Sequence, residues 1–380
     1  ILLIVPVTIQ ICKVLDLQPV PLIIAEVMFS NIGGAATQIG DPPNIIIGAQ
    51  LSAQSLDGTS LMGQGIGFSD FIIHVAPAVL IAIIPAFWLL RIIEKPGLSG
   101  NRRRNVDLLR IQYGIKDAAL LKKSGVILIG VILLFFVHSA IPHPLLSVAT
   151  IALGGAVLML LVTSPHRVEE QLDAVEWTTI IFFAGLFIMI HGLEYMGLIE
   201  MIADLITDTI FKASEENRLM VAILLLLWVS AIASAFIDNI PYTATMVPVV
   251  IELASNETLG LELGPLAWAL ALGACLGGNG TIIGASANVV AAGLAEDAGH
   301  DISFNRFFRT GFPIMLLTLV LSTIYAVVRY AMEWSNPIYP MIIITLLIIG
   351  SLSLTPLVYK DIDNLDLGDV DLRELDFEAE

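Results

Sequence analysis

An aspartate, an asparagine and a proline stand together at Asp238-Asn239-Ile240-Pro241. Tyr242, Thr243 and Thr245 follow, and the group lies between the apolar runs Leu219–Ala235 and Met246–Leu253. This reads as a hairpin that dips into a membrane and returns, with its polar residues at the tip. A carboxylate at such depth is costly and is a functional candidate by default. A structural ion pair is the plainer reading, but no Lys or Arg lies within fifteen residues of Asp238. A carboxylate here can take a sodium ion or a proton.

Two other stretches carry small and polar residues into apolar sequence. Gly33-Gly34-Ala35-Ala36-Thr37-Gln38-Ile39-Gly40-Asp41-Pro42-Pro43-Asn44 aligns with Gly277-Gly278-Asn279-Gly280-Thr281-Ile282-Ile283-Gly284-Ala285-Ser286-Ala287-Asn288, 244 positions later. Upstream, Val5-Pro6-Val7 matches Val247-Pro248-Val249 at an offset of 242. Close helix packing explains one or two small residues. It does not explain a dozen-residue run of Gly, Thr, Asn and Pro, seen twice. Non-helical backbone at membrane depth must line a cavity or be buried in protein, and paired broken helices in two repeats point to a transporter's binding site. At such a break, half-helix N-termini aim amide donors at an anion. Freed carbonyls and Asn, Thr or Ser oxygens can coordinate a hard cation. Asp41 has Ala285 as its repeat partner, so the two breaks are expected to be unlike sites that suit different species. Glu26 is a third membrane carboxylate, readable as a relay or as a helix-packing partner. His191, beside Glu194, reads as interfacial or packed.

The elements that must hold these residues are helices in lipid. Hydrophobic residues make up 57% of the 380 and charged residues 14%. A soluble domain carries about 25% charge, so this chain lacks the polar surface that water requires. Spanning helices need about 20 apolar residues. Windows that reach or approach this are Phe71–Ile93, Gly125–Ile141, Leu145–Val162, Thr178–Gly192, Leu219–Phe236, Gly311–Tyr330 and Ile338–Pro356. Ile199–Phe211 differs, with Glu200, Asp204 and Asp208 forming one acidic stripe, and reads as a helix lying in the interface. Much of the net charge of −17 sits in the tail 361–380, a solvated acidic end rather than a partner site. Cys12 and Cys275 imply no disulfide framework. Ile1–Ile11 is apolar without a signal-peptide pattern and reads as the second half of a membrane segment.

The expected fold is an all-α polytopic membrane protein of two inverted repeats, each with a re-entrant hairpin and a discontinuous helix, the first truncated at its N-terminus. Residues 1–93 make up the first repeat and 94–124 a basic loop. Residues 125–334 make up the second, with scaffold helices, a hairpin over 219–254, a broken helix over 266–296 and a final span. An extra apolar segment (335–360) and the acidic tail (361–380) follow.

The motifs Ser30–Asn44 (SNIGGAATQIGDPPN), Arg167–Trp177 (RVEEQLDAVEW), Trp228–Val249 (WVSAIASAFIDNIPYTATMVPV) and Gly273–Gly293 (GACLGGNGTIIGASANVVAAG) resemble the ion transporter superfamily. Within it they resemble the P-protein group, alongside arsenite permeases and one class of sodium–proton antiporters, and the likeness runs from the first residue to about Trp334. The resemblance implies inverted repeats, elevator-type alternating access and a homodimer formed through a scaffold domain. By position it implies a second tip of Asp238, Asn239, Thr243 and Thr245. It implies a second break of Gly278, Asn279, Thr281, Ser286 and Asn288, and a first break of Ser30, Asn31, Gly34, Thr37, Asp41 and Asn44. Sodium would sit at Asp238, Asn239, Gly278 and Asn279. The first hairpin's tip would lie before Ile1, and the segment after 335 goes beyond the group's usual end.

The function implied is secondary active transport of an ion or small anion, coupled to Na⁺ or H⁺, in a plasma or organelle membrane. No other cofactor is expected, and no nucleic-acid partner. An anion channel is one alternative. An intramembrane aspartyl protease is another, but no Gly-x-Gly-Asp follows an apolar helix, and P-loop, metalloprotease and nucleophile-elbow motifs are absent.

Loop charge orients the chain. Nine of the eighteen Lys and Arg fall between Arg91 and Lys123, whereas none lies between Arg218 and Arg306. The positive-inside rule places the basic loop in the cytoplasm and the exit of the second hairpin, at Asn256, on the opposite side. Arg103→Cys is therefore expected to react with an impermeant thiol reagent only from the cytoplasmic face, and Asn256→Cys only from the other. The reverse labelling pattern would invert this topology.

Overall fold

The computed structural model describes residues 1–15, 17–53, 66–98, 117–141, 146–163, 168–173, 175, 177–332, 343–347 and 350. The centre of the basic loop, most of the last apolar segment and the whole acidic tail lie outside the described residues. Fifteen α-helices are described, and no strand occurs among the described residues. They are α1 (Ile4–Leu15), α2 (Pro19–Gly34), α3 (Pro42–Ala53), α4 (Phe68–His74), α5 (Ala76–Leu98), α6 (Ala118–Ala140), α7 (Val148–Thr163), α8 (Val168–Asp173), α9 (Trp177–Tyr195), α10 (Leu198–Phe211), α11 (Arg218–Phe236), α12 (Asn239–Ser255), α13 (Leu263–Gly277), α14 (Ser286–Asp297) and α15 (Phe304–Ala326), which runs on into a short π-helix, Val327–Ala331. Among the described residues, four stretches are long and apolar enough to cross a membrane: Ala76–Glu94, Ala118–His138, Glu215–Phe236 and Phe304–Ala331.

Two expected elements are corrected. The span drawn over Phe71–Ile93 is interrupted at Val75, where α4 ends and α5 begins. Pro77 is the cause. In a helix running through from Phe68 it would lack a donor and clash with the preceding turn, whereas in a first turn it costs nothing. The motifs expected to be non-helical throughout are helical at both ends. Ser30–Gly34 finishes α2 and Pro42–Asn44 begins α3, so the first break is residues 35–41. The second break is 278–285, between α13 and α14.

The helices that carry the breaks sit at the centre. Every residue of α13 is buried, and α11 and α12 both pack on it. Gly273 and Gly277, one turn apart on α13, let α11 approach until a Cβ at either would lie 2.5 Å from a carbonyl oxygen of Leu227 or Ala231. Packing in the first half mirrors this. As α12 lies on α13 and α3, so α1 lies on α2 and α14; as α3 touches α13, so α14 touches α2.

At the periphery the reverse holds. On α6, Val126, Ile129 and Leu133 are 72%, 60% and 58% exposed. This helix packs on α7 and reaches the rest through Phe68, whose ring lies 5.3 Å from Phe135 and 5.2 Å from Phe136. Apolar surface of that extent requires lipid as solvent. Helix α10 bends by 67° from α9. It buries Ile199, Ala203 and Ile210 while Glu200, Asp204 and Asp208 stay exposed.

The last helices of the two halves, α5 and α15, pack along each other, and α15 is tied at its start to the end of α5 and near its end to α4. At one end Arg306 donates to both oxygens of Glu94, and Thr310 donates to Oε1. At the other, Tyr325 donates to the His74 carbonyl at 2.8 Å, and the His74 ring stacks on Trp268 at 5.2 Å. The ion pair is lopsided, with side-chain exposures of 1% for Glu94 and 37% for Arg306. Losing one partner of a buried pair costs about 3–5 kcal/mol because the other charge is stranded. Arg306→Ala strands the fully buried carboxylate and should approach that cost. Glu94→Ala leaves a cation that can reach solvent and should cost less, and the double variant should recover part of the Arg306→Ala loss. Unfolding midpoints in detergent check this ordering.

Candidate functional site

Each break is closed by one asparagine. Asn44 Nδ2 donates to the carbonyls of Gly34 (3.3 Å), Ala35 (3.0 Å) and Thr37 (3.0 Å). Asn288 Nδ2 donates to the carbonyls of Gly278 (2.7 Å) and Thr281 (2.9 Å). Asn44 and Asn288 are 244 positions apart, as are Gly34 and Gly278, and Thr37 and Thr281, so one device is built twice. The glycines serve close approach rather than a left-handed turn, since among the described residues the glycines with positive φ are Gly197, Gly260 and Gly299. A Cβ on Gly34 would lie 2.7 Å from the Gly40 carbonyl oxygen, and one on Gly284 would lie 2.9 Å from those of Gly278 and Ser234.

The breaks meet across the two halves of the chain. Asn31 Nδ2 donates to Asn279 Oδ1 (3.0 Å) and Asn288 Oδ1 (2.9 Å). In return Cys275 Sγ donates to Asn44 Oδ1 at 3.4 Å. Asn279 Nδ2 reaches back to the Met28 carbonyl at 3.3 Å. Asn31, Asn44, Asn279 and Asn288 are each at most 4% exposed, so all four amides rely on the chain for partners.

The hairpin tip lies on this pair. Thr281 Oγ1 donates to the Ala235 carbonyl at the end of α11, and the Asn239 amide donates to the Gly284 carbonyl at 3.3 Å. Asp238 was expected to be an unpaired carboxylate. Instead it caps α12, with Oδ1 accepting from the Ile240 amide at 2.9 Å, while Oδ2 accepts from Ser286 Oγ at 2.7 Å. Asp41 was expected at a separate, non-equivalent site, but it lies against the tip, where Asn239 Nδ2 donates to Asp41 Oδ2 at 3.5 Å. The tip and both breaks therefore form one cluster.

Of the residues singled out in the sequence, the structure joins Asn31, Asp41, Asn44, Asp238, Asn239, Gly278, Asn279, Thr281, Ser286 and Asn288. Gly34 and Thr37 take part through their backbones. Thr243 is buried one turn into α12. Ser30 is exposed on α2, and Thr245 returns its hydroxyl to the Pro241 carbonyl at 2.9 Å. Two participants were passed over. Cys275 was read as apolar, although its register opposite Asn31 in the repeat marks its place. Gln38, 5% exposed, lies on Gly48 of α3, and its Oε1 has no partner. Glu26 accepts from Thr8 of α1 at 2.8 Å, the helix-packing reading of that residue. His191 is exposed, 3.3 Å from Glu194.

A family model described as "Citrate transporter" (CitMHS) matches residues 1–273. The chain belongs to this transporter family. Among curated relatives, the P proteins of pig and human are each 37% identical over 400 residues, covering 88% of this chain. An "uncharacterized transporter" of Mycobacterium tuberculosis is 40% identical over 338 residues, covering 87% of this chain and 72% of its own length. The chain spans about half the length of the P proteins it matches, 46% in pig and 47% in human. The family places the chain among integral membrane transporters rather than enzymes, which sets aside the aspartyl-protease alternative.

The twofold device predicts matched losses. Asn44→Ala and Asn288→Ala each strand buried carbonyls, at about 1–3 kcal/mol per unsatisfied group. Both should lower the unfolding midpoint by similar amounts. The third carbonyl that Asn44 holds is offset at Asn288 by the bond accepted from Asn31, where Asn44 accepts only from the weak thiol donor of Cys275.

Proposed function

We propose that the chain is a secondary active transporter of an ion or small anion, coupled to Na⁺ or H⁺, working by elevator-type alternating access. The observation that carries this reading is the cluster itself. A hairpin tip and two helix breaks converge on buried amides and two carboxylates, at backbone that lipid alone cannot satisfy. The reciprocal packing of α1 on α14 and of α12 on α3 supports two inverted repeats.

Coupling follows from the cost of charge. A bare Asp at the centre of a membrane helix costs about 2.5–3.5 kcal/mol, roughly a hundredfold in population. A carrier whose carboxylates lack a cation would seldom move its site through the bilayer, whereas the loaded form escapes that penalty. The peripheral helices α6, α7 and α9 expose broad apolar faces, which suits them to lipid and to the contact of a homodimer.

Alternating access and a channel differ in turnover. Reconstituted into vesicles, the full chain should give uptake that saturates with substrate and shows counterflow when the lumen is preloaded. The panel to test is Na⁺, H⁺, Cl⁻, arsenite and dicarboxylates. Unitary currents without counterflow would replace the carrier by a channel.

A further inference from the structure

The start of α5, at the membrane face opposite the basic loop, is surrounded by side chains that the transport cluster does not use. Helix α4 stops at His74, just before the span that begins at Ala76. The stop frees the His74 carbonyl, because Ala78, four residues on, donates to Val75 instead. Tyr325 of α15 donates to that carbonyl at 2.8 Å. Directly after α15, Val327–Ala331 is wound as a π-helix, a local widening often found at functional sites. Tyr330 of this turn sets its hydroxyl 3.0 Å from Nδ1 of the His74 ring.

The same ring has a stacking partner. It lies flat on Trp268, with centroids 5.2 Å apart and planes 7° from parallel. Trp268 is 3% exposed and meets Phe71 edge-on at 5.1 Å. It belongs to α13, the helix that leads into the second break. One imidazole thus joins α4 of the first half to the π-helix and α13 of the second. A phenyl ring would serve packing equally well. The imidazole adds a charge that changes near neutral pH.

The surrounding groups give the sign of that change. Burial weighs most against charge on the ring, and the Arg329 guanidinium adds to it, while Asp70, one turn earlier on α4, works the other way. The balance holds the imidazole below its usual range. Arg329 itself lies over the Tyr330 ring at 5.2 Å. Helix α6, which packs on α4, brings His138 near its end and Lys122 and Lys123 near its start. On the other helices of this corner, α13 has no charged side chain, α5 none before Arg91, and α11 none after Arg218; α15 has Arg306 and Arg309 only at its far end.

We propose that His74, Tyr330 and Trp268 form a proton-binding switch on the membrane face opposite the basic loop, separate from the hairpin tip and the breaks, and that acid on that face loosens the π-helix from α13. In the neutral state Nδ1 accepts from the Tyr330 hydroxyl. A proton taken from water at Nδ1 makes the ring the donor, turns the Tyr330 hydrogen away, and sets a second cation beside Arg329. A fold that resists this proton binds fewer protons than the unfolded chain. The switch therefore contributes stability above the ordinary imidazole value of about 6.5 and loses it as pH falls below.

An imidazolium in contact with an indole quenches its fluorescence, so the switch can be read without a transport assay. In the detergent-solubilised full chain, tryptophan emission should drop as pH is lowered from about 8 to about 5, across the imidazole range. The drop should vanish in His74→Gln and in Trp268→Phe. It should move to higher pH in Arg329→Gln, which removes the like charge, and in Tyr330→Phe, which removes the donor to the neutral ring. The gap in unfolding midpoint between the parent and His74→Gln should narrow as pH falls. In vesicles of one orientation, acid on the face opposite the basic loop should quench, and acid on the loop's own face should not. The switch is overturned if the parent shows no drop, if His74→Gln or Trp268→Phe keeps it, or if quenching is driven from the loop's face. Should either of those variants fail to fold, Arg329→Gln decides, since Arg329 is exposed, and a transition at the parental pH or below it would refute the proposal.

Discussion

Helix hydrogen bonds abandoned where water is scarce must be replaced from within the chain, and the centre of this molecule is built on that requirement. Where α2 gives way to α3 and α13 to α14, the freed carbonyls are taken up by Asn44 and Asn288, each bonded to the break that precedes it. Each buried carbonyl left unsatisfied costs about 1–3 kcal/mol. Five such bonds thus weigh as much as the whole margin of stability of a typical protein. An asparagine suits the task because its amide nitrogen donates to several carbonyls while its oxygen stays free. That oxygen faces the other half of the chain, where Asn31 or Cys275 donates to it. A local repair becomes the joint between the halves.

The joint is symmetric in plan and asymmetric in chemistry. Asn31 and Cys275 hold equivalent positions, but Asn31 makes two good hydrogen bonds and the thiol one long one. Ala35 corresponds to Asn279, which anchors the second break to α2 through the Met28 carbonyl. Asp41 corresponds to Ala285. The second break therefore carries more of the structural bonding, and the first contributes a carboxylate to the tip of the opposite hairpin. One duplicated scaffold thereby yields one site of unequal parts.

Much of this was legible in the sequence because Gly, Asn and Asp are conspicuous in apolar surroundings. The 244-residue repeat and the polar tip at Asp238-Asn239 were readable from residue type and spacing. The lengths of the breaks were not, because a motif records which residues are needed and not where the helical hydrogen bonds stop. Ser30–Gly34 remains in α2. The joining of Asp41 to the tip was missed because repeat logic pairs each tip with its own break, whereas the packing carries α12 across to α3. The Glu94–Arg306 pair was missed for a related reason. Glu94 reads as the edge of a basic loop, and only the contact between α5 and α15 brings its partner from 212 positions away.

The bonding around the tip is graded. Toward the second break the tip is held by Thr281 on Ala235, by Asn239 on Gly284 and by Ser286 on Asp238. Toward the first break, the side-chain bond described is the one from Asn239 to Asp41, at 3.5 Å, beside the contact of α12 with α3. Three bonds hold the tip to the second break and one longer one holds it to the first, so the tip is tied more firmly to the second break, which is itself bonded to the first half through Asn31, Asn279, Asn288 and Cys275.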